Sequence, residues 1–301
     1  PAYTWWSDYT CVVHAGALPV FADIDESINI DPKDFERKIT PRTKAVIPVH
    51  LLGGPADLEP IMDIAKKKGI AVVEDAAQCV GGSYNGKKLG SMGDIGIYSF
   101  QLCKMISSGD GGALVSNDPI VYERAVRYHN MGGLRSHFEN KLGEPKVKQF
   151  AGKNFRMNEF TGAVLGAQLP KLDEMIAGLK SSWQAIYDEV KDLPGIEFRK
   201  QPDPKGDIGY GVFFLVENKA ARDRCIKELQ RRGIPAGTLS GSILLPIAPS
   251  VINKETQHPK WPSFSSPEGK AIEYGPQSCR QTLDLYDRFV QIRIGPKYTN
   301  N

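Results

Sequence analysis

Cysteine is scarce in this chain and poorly placed for any covalent framework. The five, Cys11, Cys79, Cys103, Cys225 and Cys279, are scattered and odd in number, and none belongs to a CxxC pair. A disulfide scaffold is excluded, and the residues read as reduced thiols. Long apolar runs are missing too. No segment approaches the roughly 20 residues needed to cross a bilayer, and the amino end has no basic stretch followed by an apolar core. The reading is a cytoplasmic protein. Dense basic runs are absent: Lys+Arg 38 against Asp+Glu 35 leaves a formal charge of +3, which gives a polynucleotide partner no support. The chain opens on Pro1 within structured-looking sequence, with neither Met nor leader, so a fragment of a longer protein is expected.

What is present is a soluble composition on 301 residues, enough for a sizeable core in one large domain or one large plus one small. The run Val46-Ile47-Pro48-Val49 reads as a buried strand. Asp57 then reads as the cap of a helix whose Leu58, Ile61, Met62 and Ala65 fall at i, i+3, i+4, i+7, and Gly69 ends it. Ile70-Ala71-Val72-Val73 follows as a second buried strand, which makes a βαβ unit with parallel strands and a right-handed crossover. Asn85-Gly86 marks a tight turn, Ile95 to Phe100 and Ala113 to Ser116 read as strands, and Asp118-Pro119 opens a helix. Residues 132–153 lack a clear period and read as a long surface loop. A helical stretch then runs to Leu193 with Pro170 as a kink. Beyond it lie strands near residues 196–199, 212–216 and 289–294 and a helix around 221–232.

The chemistry gathers at the strand ends. Glu74-Asp75-Ala76-Ala77-Gln78 follows one strand, Ser99 ends the next, and Lys104 lies in the loop beyond. Open α/β sheets bind ligands at the carboxyl ends of their strands. Pyridoxal phosphate (PLP) needs a fixed carboxylate to keep its ring nitrogen protonated, and Asp75 suits that role. It needs a primary amine of lowered pKa to hold it and move protons, and Lys104 suits that one. Gln78 can reach the ring hydroxyl, and the Ser99 hydroxyl can reach the phosphate. Each piece alone has an ordinary explanation as a cap or an exposed loop residue, and a nicotinamide enzyme also fits such a sheet. No GxGxxG opens a helix, however; Gly109-Asp110-Gly111-Gly112 precedes a strand instead. His50, closing a buried strand, reads as a hydrogen-bonded core residue. Cys79 and Cys103 read as small packing groups beside the site.

Three stretches carry a resemblance: Val73 through Gln78, Gly81-Gly82-Ser83-Tyr84-Asn85-Gly86, and Gly93-Asp94-Ile95-Gly96-Ile97-Tyr98-Ser99-Phe100-Gln101-Leu102-Cys103-Lys104. With Gly16 to Asp25, Thr40 to His50 and Asn154-Phe155-Arg156-Met157-Asn158-Glu159, they resemble the DegT/DnrJ/StrS sugar aminotransferase family over nearly the whole chain. The resemblance implies an α/β fold-type I PLP-transferase, with a mostly parallel sheet flanked by helices and a smaller C-terminal α+β domain. The division expected is residues 1–155 for the PLP-binding domain, incomplete at its amino end, and 156–301 for a linking helix and the small domain. It implies that Lys104 forms the Schiff base, Asp75 pairs with the pyridine nitrogen, Gln78 lies near the ring oxygen and Ser99 touches the phosphate. Trp5 matches an aromatic that stacks on the ring, with a core aromatic as the equal alternative. Asn154 matches an asparagine that reaches the phosphate in the neighbouring subunit, so a homodimer is expected; the alternative is a loop residue capping the following helix.

The chain departs from the family in Asp110, where Glu is usual, and in lacking the upstream Gly-Thr/Ser-Ala loop and the final helix. The implied reaction moves an amine from an amino acid, with glutamate favoured, to a keto-sugar. A PLP-dependent sugar dehydratase is the nearest alternative, but its relatives carry His at the lysine position. A non-catalytic regulator on the same scaffold is the other. The Ser99 to Lys104 stretch and the ending Thr282 to Ile292 are more similar to the branch that aminates 3-deoxy-octulosonic acid or cyclitol-like ketones, and residues 201–207 lean toward an 8-keto-octulosonate acceptor.

Overall fold

The computed structural model describes residues 1–136 and 141–294. Helix α1 (Trp6–His14) and helix α2 (Pro32–Lys38) precede strand β1 (Ala45–Val46). Helix α3 (Leu58–Lys68) buries Leu58, Ile61 and Ala65 on one face, as its spacing requires, and Gly69 closes it at φ 65°. Leu58 and Ile61 each contribute roughly 1.5–3 kcal/mol relative to exposure, and the single methyl of Ala65 less. Asp57 precedes the helix without capping it; its carboxylate accepts the Tyr84 hydroxyl at 2.7 Å instead.

Strand β2 (Ala71–Asp75) follows, then a hairpin of β3 (Ser83–Tyr84) and β4 (Lys87–Lys88), then β5 (Ile95–Ser99) and β6 (Gly112–Val115). Asn85 (φ 49°) and Gly86 (φ 78°) make the hairpin turn, a left-handed pair that Asn-Gly accommodates. The first sheet has the order β1-β2-β5-β6, parallel except for the β5–β6 pair. The expected strand over residues 46–49 is shorter than its sequence suggests. Pairing lapses after Val46 and resumes as a single bridge between Val49 and Asp75, because Pro48 has no N–H to donate.

Helix α4 (Pro119–His129) carries the expected cap, Asp118 Oδ1 accepting Ile120 N–H at 2.7 Å. The described part of the loop after it is tied down by Glu123, whose buried carboxylate accepts the Lys146 N–H at 2.8 Å. The long helical stretch is Glu159–Gln168, a tight turn at Leu169–Lys171 where Pro170 sits, and Leu172–Val190.

Strands β7 (Glu197–Phe198), β8 (Gly211–Leu215), β9 (Ala236–Gly237) and β10 (Phe289–Arg293) form a second, antiparallel sheet of order β7-β8-β10-β9. Helix Lys219–Arg231 packs on it. One core joins the two sheets: Tyr3, Ile24, Val49 and Leu51 pack with Phe213, Leu215, Leu285 and Phe289. Among the described residues, no helix is long and apolar enough to cross a membrane.

Candidate active site

Parallel pairing sets the site. Asp75 is opposite Ile97 in the β2–β5 ladder, so Asp75 and Ser99 leave the sheet at the same edge. That edge is pinned from both sides: Asp75 N–H donates to Pro48 O, His50 N–H to Asp75 O and Ala76 N–H to Ile97 O, each at 2.9 Å. Side chains alternate along a strand, so Glu74 and Asp75 point to opposite faces. Glu74 turns into the interior and accepts from Gly90, Met92 and Gly93 N–H groups and from His50. His50 is the buried, hydrogen-bonded core residue expected. The neighbouring loop runs so close that a Cβ on Gly96 would lie 1.8 Å from Gly90 O, which excludes any side chain there.

Asp75 faces the other way and is 3% exposed. Its Oδ1 accepts the Ala77 N–H at 2.8 Å. Burial, and next the charge of Asp8, push its carboxyl up to about 7. Lys104 is half-buried in the loop after β5, its N–H turned back to Gln101 O at 2.9 Å. Burial lowers its pKa, opposed by the charges of Asp75, Cys103 and Asp8. An amine and a carboxyl thus lie near enough for each to feel the other's charge, and each is shifted toward its neutral form. Gln78 Oε1 accepts the Leu52 N–H at 3.1 Å, which commits its acceptor and leaves the Nε2 donor for a ligand.

Asp75, Gln78, Ser99 and Lys104 therefore occupy one sheet edge. The outlying candidates differ. Trp5 is 55% exposed at the start of α1; Trp6 is partly buried against the core and donates Nε1–H to Ser242 O at 2.9 Å. Asn154 is exposed and bridges to Asn130, and the following helix is capped by Asn158 rather than by it. Asp110 is exposed, its Oδ1 accepting the N–H of Gly111 at 3.0 Å. Cys79 is a buried packing group as expected, but Cys103 is exposed.

Two residues that sequence reasoning passed over belong to this region. Asp8 is buried against Asp75, its carboxyl pushed upward chiefly by burial. An acid in the first turn of a helix is an ordinary dipole complement, so its sequence carries no signal of a site. Arg199 is buried and donates to the carbonyls of Ser27, Leu51 and Leu52, anchoring the turn that Gln78 also holds. Nothing in the local sequence marks that arginine as internal.

Residues 1–257 match the DegT/DnrJ/EryC1/StrS aminotransferase family. The chain belongs to that family. It is similar to the GDP-perosamine synthase of Vibrio cholerae, 30% identical over 90% of this chain and 76% of that protein. It is also similar to a pleiotropic regulatory protein of Geobacillus stearothermophilus, 41% identical over 57% of this chain but only 44% of that one. Among solved structures, S. venezuelae DesV, determined with a ketimine intermediate, superposes with a TM-score of 0.77 at 27% identity, over 98% of this chain and 72% of DesV.

The DegT/DnrJ/EryC1/StrS enzymes are PLP-dependent sugar aminotransferases, and the fold is theirs. The donor set here fits that cofactor: a buried carboxyl for the ring nitrogen, an amide donor already oriented by Leu52, a hydroxyl at the strand end and an amine of lowered pKa. When bound, PLP supplies an electron sink for bonds broken at the substrate amine carbon.

Proposed function

We propose that this chain catalyses PLP-dependent amino transfer from an amino acid, glutamate being the donor favoured, to a keto-sugar. The observation that carries the reading is the shared sheet edge, where the register of β2 and β5 sets Asp75 and Ser99 together with Lys104 just beyond. Asp75 would hold the ring nitrogen, Gln78 Nε2 the ring oxygen and Ser99 the phosphate, with Trp5 over the ring. Lys104 Nζ would hold the cofactor and then take and return the proton at the substrate carbon. Its burial supports this, since a general base works best with a pKa near the working pH.

The finer reading of the acceptor is an 8-keto-octulosonate, made in the cytoplasm for polysaccharide or lipopolysaccharide. Its support is the Ser99 to Lys104 stretch and the 201–207 segment. That segment lies beside the site's hairpin, Asp203 Oδ2 accepting the Asn85 N–H at 2.8 Å. A homodimer with Asn154 reaching the partner's site completes the reading, together with a division of the chain at residue 155. An apolar face around Asn154 supports the dimer: Phe155 is 62% and Phe160 87% exposed.

A non-catalytic regulator is the second reading, favoured by the name of the Geobacillus relative. The retained Lys104 speaks against it, as it does against a dehydratase. The test is a visible spectrum of the full-length protein with PLP, followed by borohydride reduction and mapping of the label. Label on Lys104, and a band that shifts when glutamate is added, are expected. Label on another lysine would refute the assignment, and no visible band would favour the regulator.

A further inference from the structure

A cleft of about 440 Å³ opens between the helix Leu172–Val190 and residues 201–209, and it shares no residue with the sheet edge described above. That volume is within the roughly 300–1,000 Å³ that small-molecule sites occupy. One wall is a single helix face, on which Lys180, Trp183, Gln184 and Tyr187 fall at i, i+3, i+4, i+7. The Trp183 and Tyr187 rings stack 4.8 Å apart and 12° from parallel, and Phe198 meets Tyr187 edge-on at 4.9 Å. Both rings are therefore fixed before any ligand arrives. Trp183 packs against the core of the second sheet yet is only half-buried, which leaves aromatic surface to line the cleft.

The other wall sets polar groups on a fixed backbone. Asp207 is 7% exposed, and its Oδ1 accepts the Gly209 N–H at 2.8 Å. Between them Ile208 N–H donates to Gly53 O at 2.9 Å, and Gly209, at φ 73°, stands so near the helix that a Cβ would lie 3.0 Å from Leu179 O. Lys180 Nζ ties the walls together by donating to Lys205 O at 2.6 Å. The Lys205 side chain is exposed at the mouth, and Gln201 adds an amide. Two ammonium groups thus stand over one carboxyl, beside a rigid aromatic platform.

We propose that this cleft is a second ligand site, which takes a sugar ring carrying an acid group, either a carboxylate or a phosphate. The inference does not depend on the PLP reading. An aromatic face carries negative charge density and attracts the weakly positive C–H groups on one side of a saturated ring, which suits Trp183. Sugar hydroxyls both donate and accept, so they match the acceptor of Asp207 and the mixed amide of Gln201. The acid group would take charge-assisted hydrogen bonds from Lys205 and Lys180. A cationic ligand would meet two like charges, and an acid without a ring would leave the platform bare.

Calorimetric titration of the full-length protein tests this, run with and without PLP so that failure of the cofactor reading leaves the result intact. Glucuronate supplies the carboxylate, glucose 1-phosphate the phosphate and glucose the ring alone, with inorganic phosphate and AMP for comparison. At least one acid sugar should bind at millimolar concentration, about tenfold or more tighter than glucose or inorganic phosphate, and the two arms tell carboxylate from phosphate. Trp183→Leu should weaken that binding by about tenfold or more and remove the accompanying change in tryptophan fluorescence. Lys205→Gln, on an exposed side chain that folding does not need, should erase the advantage over glucose. Circular dichroism checks the fold of each variant. The proposal is overturned if neither acid sugar binds, if both variants bind as the wild type does, if inorganic phosphate binds equally well, or if AMP binds more tightly than either sugar.

Discussion

His50 Nε2 lies 3.2 Å from Glu74 Oε2 with both side chains fully buried, directly behind the strand end that presents Asp75. His50 Nδ1 accepts the Ala56 N–H at 3.1 Å, so Nε2 carries the hydrogen and donates to Glu74. The Glu74 carboxylate also takes the N–H groups of Gly90 at 2.8 Å, Met92 at 2.6 Å and Gly93. One carboxylate thus binds the loop before β5 to the end of β2 and sets the spacing of the two strands that carry the site.

Glu74→Ala would leave His50 and three backbone donors without their acceptor in the interior. The expected loss is roughly 3–5 kcal/mol of stability, read as a lower urea midpoint. The pH dependence has a definite sign. Burial alone would raise this carboxyl, but the bonds from His50, Gly93 and Gly90 outweigh it and hold it below its ordinary value. A depressed carboxyl gives stability that is present above the unfolded value, about 4.3, and is lost as pH falls through the folded value. Glu74→Gln should flatten that acid limb.

Asp75 runs the opposite way. Its carboxyl is raised to about 7, so between about pH 4 and that value the folded state binds more protons than the unfolded chain. Stability of the cofactor-free protein should fall as pH climbs through that window and level off above it. Denaturation midpoints across the window check this, and Asp75→Asn should remove the slope.

Arg199 donates to Ser27 O at 2.8 Å, Leu51 O at 2.8 Å and Leu52 O at 3.1 Å, with its guanidinium over the Phe213 ring at 5.2 Å. A lysine ammonium cannot span three carbonyls in a planar fork. Arg199→Lys is expected to cost about 3–5 kcal/mol and to loosen the Leu52 turn that orients Gln78. The readouts are the urea midpoint and the PLP dissociation constant.

Gln78→Glu keeps an acceptor for the Leu52 N–H but puts a negative charge where an amide donor faced the ligand. PLP affinity should weaken by roughly ten- to a hundredfold, the worth of about 1–3 kcal/mol in a partly buried hydrogen bond, with the urea midpoint little changed. Spectroscopic titration measures the affinity.

If Asn154 serves the partner's site, Lys104→Ala and Asn154→Ala protomers should complement one another. Each variant alone carries a defect in both sites of a homodimer, whereas a mixed dimer holds one site with neither defect. Co-expression should recover transaminase activity that neither parent shows, and no recovery would place Asn154 outside the partner's site.

Much of the sheet could be read directly because its signals are local. The α3 stripe, the Gly69 stop and the Asn85-Gly86 turn each depend on a few neighbouring residues, and all three appear where expected. Lys104 and Asp75 were also legible, since strand ends in an open sheet are where polar groups converge. The errors fell where a local preference met a tertiary competitor. Asp57 had the chemistry of a cap, but Tyr84 claims its carboxylate. Cys103 looked like packing but faces solvent.

The sequence by itself determined the family and the main strands and helices from residue 46 onward, though not the helices Trp6–His14, Pro32–Lys38 and Arg280–Arg288, because period, punctuation and residue chemistry are written along the chain. Only the tertiary structure decided what surrounds the polar groups at the sheet edge. Asp8 reaches Asp75 from a helix 67 positions earlier in the numbering, and Arg199 reaches Leu51 and Leu52 from the far side of the chain. Both depend on how separate elements pack, and burial then turns an ordinary surface acid and an ordinary arginine into groups whose protons and hydrogen bonds must be satisfied inside the protein.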